Sequence, residues 1–166
     1  MIEALLRDLR QPEYVHTLLN PLPIYGLGLA FVGLLFAIVL RSRGGQVTAL
    51  GLIFISALSV WPVIHYGERA QANVLAMSDA DGRAWLEAHE ARAEKLELIF
   101  YALAAVSLAA IFAPKQWPKT ALPLAIATLL MAIGALGAGA SIAYAGGKIR
   151  HKEFRTVPPP ESPVES

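Results

Sequence analysis

The sequence predicts an all-α fold, a membrane four-helix bundle made of two antiparallel hairpins, and three observations lead to it. Hydrophobic residues make up 55% of the 166 residues and charged residues only 16%, whereas an ordinary soluble domain carries about 25% charged residues. The apolar residues are collected in four long runs, and a run of about 18 or more is typical of a membrane-spanning helix. The connection within each pair of runs is short, which favours antiparallel neighbours.

Four spans are predicted, at residues 21–40, 47–66, 96–113 and 121–147. The first and the last contain no charged residue, and the ionisable groups of the second, His65 and Tyr66, lie at its end. The third contains one carboxylate, Glu97, in its first turn, where it can reach water at modest cost. Each run can therefore cross the bilayer as a helix that satisfies its own backbone hydrogen bonds.

The ends of the chain differ in character from the spans. Residues 1–12 are predicted to form a short amphipathic helix in the membrane interface, because their apolar side chains share one helical face until Pro12 ends the pattern. The membrane domain follows as residues 13–155. Residues 156–166 are polar and rich in proline, a composition that predicts a disordered tail.

Prolines begin or kink the first two spans of the membrane domain, and two basic turns connect the spans within each hairpin. Pro21 and Pro23 are expected to open the first span, where helix amides have no intrahelical acceptor. Pro62 predicts a kink in the second span, since it cannot donate a backbone hydrogen bond. The turns at 41–46 and 114–119 each return the chain across the membrane.

A polar loop, residues 67–95, joins the two hairpins. Capping residues at Asp79 and Asp81 predict that a helix begins there and continues unbroken into the third span. Because the number of spans is even, this loop and both chain ends are expected on one side of the membrane and the two turns on the other.

Two counts of basic residues bear on orientation and point in opposite directions. The turns hold four of the fourteen Lys and Arg residues and no acid, while the other ten lie on the terminal side among acidic residues. The positive-inside rule counts Lys and Arg rather than net charge. We expect the purely basic turns to be cytoplasmic, which would place the termini in the periplasm.

The composition also excludes several classes of site. Cysteine is absent, which excludes disulfides, thiolate metal sites, iron–sulfur clusters and covalently attached c-type haem. A formal net charge of +1 gives no basis for nucleic-acid binding. The dipeptide His89-Glu90 is not followed by a histidine at Ala93, so the zinc-protease motif fails. No nucleophile elbow, phosphate loop or dinucleotide fingerprint is present either, and an enzyme is the less favoured interpretation.

All four histidines are predicted on the terminal side of the membrane: His16, His65, His89 and His151. Imidazole is the commonest metal ligand, and two imidazoles on facing helices can hold haem iron axially. One hypothesis therefore joins His65 and His89 across residues 67–95, with His16 and His151 in the same cluster, as ligands of haem b or a divalent metal. For a metal ion, the expected ligands are His65, Glu68, His89 and Glu90. The alternative is that these histidines are ordinary polar caps of the spans.

The fourth span is rich in small residues, among them Gly134, Gly137, Gly139 and Ser141. Small residues let membrane helices approach closely. They predict either close packing inside the bundle or an interface with another membrane subunit.

Four segments resemble a group of small four-span bacterial inner-membrane proteins of unknown function, akin to domain of unknown function 2231. Residues 16–26, HTLLNPLPIYG, are similar to that group's H-x-L-L-N-H-x-P-x-x-G, with Pro21 in place of its second histidine. Residues 67–70 are similar to G-E-x-A, and residues 89–93 to H-E-x-x-A. Residues 146–155, GGKIRHKEFR, resemble G-G-x-I-R-H-x-E-x-R.

The resemblance implies a four-span fold, a bacterial inner membrane and an association with respiratory or cytochrome-containing systems. The function expected from it is that of a small accessory subunit of an electron-transfer system. The alternative is a structural subunit without a cofactor, whose glycine-rich fourth helix packs against a larger membrane complex.

Overall fold

A computed structural model describes residues 2–160. The structure is 87% helical, and none of the described residues is assigned to a strand. The all-α prediction is therefore confirmed for this part of the chain. Within residues 2–160, seven α-helices follow one another: α1 (Ile2–Asp8), α2 (Pro12–Leu19), α3 (Leu27–Val39), α4 (Arg43–Leu58), α5 (Val60–Met77), α6 (Ala80–Phe112) and α7 (Ala121–Arg150). The last residues of the predicted tail, 161–166, lie outside the described part.

The helices combine into four rods that are long and apolar enough to cross a membrane: Pro12–Val39, Arg43–Met77, Ala80–Lys115 and Pro118–Arg150. Large apolar side chains project outward from each of them, for example Leu29, Ile55, Leu98 and Leu130, which are 63–78% exposed. An apolar outer surface of this kind suits lipid rather than water. The chain is therefore a multi-pass membrane protein.

The breaks within the first two rods follow from proline. Pro21 and Pro23 lack backbone N–H groups, and α2 passes into α3 through a π-helical turn at Leu22–Gly26. In the second rod α4 ends at Leu58, the residue whose carbonyl would otherwise accept from position 62. The interruption at Ser59 thus has the cause that the sequence predicted, the missing N–H of Pro62.

The predicted polar loop 67–95 is helical apart from Ser78 and Asp79. Helix α5 continues to Met77, and α6 begins at Ala80 with Asp79 as its N-cap, accepting from the Gly82 amide at 2.9 Å. The residues after 67 are polar but include no proline, so the helix that starts in the membrane is not stopped. The expected start near Asp81 and the continuous run into the third span agree with α6.

The bundle contains two apolar cores. The larger lies among the spans and includes Leu27, Leu50 and Leu103, all fully buried. The smaller is formed by Trp85, Leu86, Ala145 and Ile149, at the end where the chain termini lie. Helix α7 has 30 residues and is about 45 Å long, whereas the hydrocarbon layer is about 30 Å thick. The second core therefore belongs to a head that stands above the hydrocarbon, comprising residues 2–20, 67–95 and 145–160.

Side-chain hydrogen bonds hold the elements of the head together. Asn73 on α5 donates to Glu13 on α2, and Gln71 donates to Glu90 on α6 at 2.9 Å. At the opposite end of the bundle, Arg43 donates to the carbonyl of Ala110 at 2.9 Å and so ties the first turn to the end of α6. The two head contacts place α2 and residues 67–95 at one end of the bundle, and the second core adds the end of α7, as an even number of spans requires.

Candidate functional site

Two of the four histidines lie together where the head meets the spans. His16 on α2 and His89 on α6 have ring centres 6.4 Å apart, and their planes are nearly perpendicular at 87°. Both side chains are half-buried. Because α2 packs along α5 while α6 packs along α7, the pair joins the two hairpins.

Each ring is held by a backbone carbonyl of the second helix of its own hairpin. Nδ1 of His16 lies 2.8 Å from the carbonyl oxygen of Val63 on α5. Nδ1 of His89 lies 3.0 Å from the carbonyl oxygen of Ile142 on α7. A helix carbonyl already accepts from the amide four residues later, so the imidazole is a second donor that approaches from the side.

A glycine makes room for each imidazole, and it stands four residues after the accepting carbonyl. A Cβ at Gly67 would lie 3.0 Å from Nδ1 of His16, and a Cβ at Gly146 would lie 3.0 Å from Nδ1 and Cε1 of His89. Any other residue type there would push against the ring. We call the unit of histidine, carbonyl and glycine a histidine lock. The first is His16, Val63 and Gly67; the second is His89, Ile142 and Gly146.

The locks determine the tautomer of both imidazoles. A backbone carbonyl can only accept, so Nδ1 must carry the proton in His16 and in His89. In the neutral ring Nε2 then carries a lone pair. Metal-bound histidines share this arrangement, in which one nitrogen donates to a carbonyl or carboxylate and the other binds the metal.

The structure does not bring the other two histidines into this pair. His65 is exposed on α5, where it stacks on Trp61 with ring centres 6.0 Å apart and meets Tyr66 edge-on at 5.5 Å. His151 is exposed beyond α7, where Nδ1 donates to Glu153 at 2.9 Å and the ring stacks on Phe154.

The predicted metal ligands His65, Glu68, His89 and Glu90 do not assemble as a set. Among residues 2–160 no three His, Asp or Glu side chains are grouped so that they could hold a metal ion. Glu68 is exposed, and Glu90 accepts a hydrogen bond from Gln71. The physical reason is that His65 lies on an exposed face of α5, whereas the packing of α2 along α5 brings His16, another member of the predicted cluster, to His89.

A buried lysine in the head was not anticipated from the sequence. Lys148 is 3% exposed; its Nζ donates to Tyr144 Oη at 2.7 Å and lies 4.4 Å from the centre of the Trp85 ring. The two aromatic faces stabilise the ammonium group by cation–π attraction. The indole Nε1 of Trp85 is buried without a hydrogen-bond partner in the described part of the chain.

The C-terminal segment folds back and fastens the head. Arg155 donates to both oxygens of Asp79 at 2.9 Å and to the carbonyls of Lys148 and Ile149 at 2.8 Å, at the end of α7. Lys152 adds an ion pair with Asp79 at 3.0 Å. The hydrogen bonds from Arg155 and Lys152 hold the pKa of the Asp79 carboxyl well below its usual value.

Comparison with known proteins adds no assignment. No family model matches the chain, and no curated protein or solved structure matches it significantly. The class of protein therefore follows from the fold alone, that of a multi-pass helical membrane protein.

Proposed function

We propose that this chain is a small accessory membrane subunit of an electron-transfer system and that His16 and His89 bind a metal-centred cofactor, haem b or a divalent metal. The observation that carries the proposal is the pair of histidine locks. They present two imidazoles whose Nδ1 atoms donate to helix carbonyls and whose ring centres are 6.4 Å apart, at the boundary between the head and the spans. The resemblance found in the sequence supports the association with electron transfer.

Substitution by asparagine tests this proposal, because its amide nitrogen can still donate to the carbonyl while Nε2 is lost. His16→Asn and His89→Asn should each abolish or sharply reduce the metal that copurifies with the full chain, measured by elemental analysis and a visible spectrum. His65→Asn and His151→Asn are the matched controls and should retain it. Wild-type protein without metal, or loss that depends on the controls instead, would sink the proposal.

A structural subunit without a cofactor is the second candidate, and the outer face of α7 favours it. Gly134, Gly137, Ala140 and Ser141 are exposed, and a Cβ at either glycine would meet no atom within 4 Å. A flat face of small residues suits close contact with another membrane helix. Gly137→Leu should then remove copurifying subunits and leave any bound metal unchanged.

The proposal includes location in a bacterial inner membrane with the head in the periplasm. The support is the character of the two turns, whose charged residues are all basic. Alkaline phosphatase fused after the last residue should be active in this orientation, and a fluorescent protein that folds only in the cytoplasm should be dark there. The reverse result would put the head in the cytoplasm.

A further inference from the structure

A cavity of about 260 Å³ lies between the first rod and α7, where the head meets the spans. At Ile24, in the π-helical turn, the first rod approaches α7 so closely that a Cβ at Gly139 would lie 3.0 Å from Cγ1 of Ile24. On the head side of this contact α2 packs along α5, which leaves a gap between α2 and α7. Short π-helical segments of this kind are frequent at functional sites.

The two walls of the cavity differ in character. Helix α7 contributes the methyl groups of Ala140 and Ala143, and the first rod contributes the polar side chains of Thr17, Asn20 and Tyr25. No charged side chain among the described residues lines the cavity. A phosphate or carboxylate would therefore leave water without gaining a counter-ion, which is costly. The lining favours an uncharged ligand.

Two hydrogen-bond donors of the cavity have no partner within the part of the chain that the structure describes: the amide of Asn20 and the hydroxyl of Tyr25. The hydroxyl of Thr17 already donates to the carbonyl of Glu13 at 2.8 Å. The Asn20 side chain is half-buried, so an unpaired amide there is unfavourable, and a carbonyl oxygen of a ligand would satisfy it. The ligand should therefore carry hydrogen-bond acceptors.

The size and position of the cavity restrict the ligand further. An apolar cavity of about 150 Å³ binds benzene, so a volume of about 260 Å³ accommodates a six-membered ring with substituents. Tyr25 and Ala140 are exposed on the outside of the bundle, beside the apolar surface that faces lipid. A ligand would therefore enter from the membrane and leave an apolar tail in it.

We infer that this cavity binds the ring of a membrane-dissolved quinone, with the Asn20 amide donating to one of its carbonyl oxygens. A quinone is uncharged and flat, its oxygens accept hydrogen bonds, and it carries an apolar tail, so it meets each of these restrictions. Neither His16 nor His89 lines the cavity, and the inference does not depend on a metal there. It adds to the proposed function a site for a diffusible carrier.

Equilibrium binding of decylubiquinone to the full chain in phosphatidylcholine bilayer discs tests the inference. Wild type should bind one quinone per chain saturably, although phospholipid is in large excess. Asn20→Leu keeps the side-chain volume and removes the donor, so it should weaken binding about three- to tenfold. Ala143→Leu should abolish binding because the larger side chain fills the space. Ala127→Leu is the matched control and should bind as wild type, since Ala127 is also half-buried in α7 but lies outside the cavity.

Several outcomes would overturn the inference. One is the absence of saturable binding by wild type, and another is equal affinity in wild type, Asn20→Leu and Ala143→Leu. Diacylglycerol has ester carbonyls but no ring, and displacement of the quinone by it would refute the assignment to a ring. Melting curves check that the variants are folded, and Asn20→Leu decides alone if Ala143→Leu is not. A chain that binds quinone without metal would support this site and overturn the proposed metal site; the reverse result would do the opposite.

Discussion

Replacing Gly146 by alanine tests the packing of the second histidine lock most directly. The added Cβ would lie 3.0 Å from both Nδ1 and Cε1 of His89, closer than van der Waals contact allows. The imidazole must therefore retreat, which stretches its 3.0 Å hydrogen bond to the carbonyl of Ile142. Overpacking of this kind costs about 1–3 kcal/mol.

Alanine also has a higher helix propensity than glycine, and this gain must be separated from the steric cost. Gly137→Ala is the matched control, because Gly137 lies in the same helix and a Cβ there meets nothing within 4 Å. Both variants gain about 1 kcal/mol of helix propensity, so their difference isolates the clash. Gly146→Ala should be less stable than Gly137→Ala by about 1–3 kcal/mol.

Thermal unfolding in detergent, followed by circular dichroism, measures the difference. For a chain of this size the Tm of Gly146→Ala should lie roughly 2 to 12 °C below that of Gly137→Ala. The double variant Gly146→Ala with His89→Ala should recover much of the gap, because the ring is no longer there to clash. Equal melting temperatures for the two alanine variants would refute the account of the lock.

Three further predictions concern the turn, the C-terminal fastening and the topology. Arg41 is exposed and has φ of 51°, so Arg41→Gly should raise the free energy of unfolding by about 1 kcal/mol, measured by chemical denaturation. Because the pKa of Asp79 is depressed below 3.8, its contribution to stability is present above about pH 4 and lost as the pH falls further. Wild type should therefore lose more stability than Asp79→Asn on acidification in a pH series of melting curves. Cysteines at Gly44 and Asp81, both outside the apolar runs, should react with an impermeant maleimide from opposite sides of the membrane; labelling from one side contradicts the topology.

The apolar runs predicted the four rods correctly because length and hydropathy dominate the choice of structure inside a bilayer. The break at Ser59 could also be predicted, since Pro62 removes one specific hydrogen bond whatever the surroundings. Residues 68–77 are helical, although their polar composition predicts a loop. A helix that leaves the membrane continues until a residue ends it. In this segment the helix ends at Met77, and Ser78 adopts an extended conformation.

The histidine pair was only half predictable. That the four histidines share the head side follows from counting spans, but which of them meet depends on how α2 packs against α5, and spacing along the chain does not contain that information. One signal was available. Gly67 and Gly146 interrupt otherwise helix-favouring stretches, which indicates that another group approaches the backbone closely. The burial of Lys148 needed the packing of Trp85 against α7 and had no comparable signal.

The location of the histidine pair follows from the two cores between which it lies. Among the spans an uncompensated polar group would cost several kcal/mol, and within the small head core there is little space beside Trp85 and Lys148. At the boundary, helices that cross the membrane still present regular carbonyls, and the head supplies histidines on neighbouring helices that can donate to them. A cofactor bound there would contact both hairpins at once and would stabilise only the arrangement in which they are docked. Binding of such a cofactor would therefore be coupled to the docking of the two hairpins.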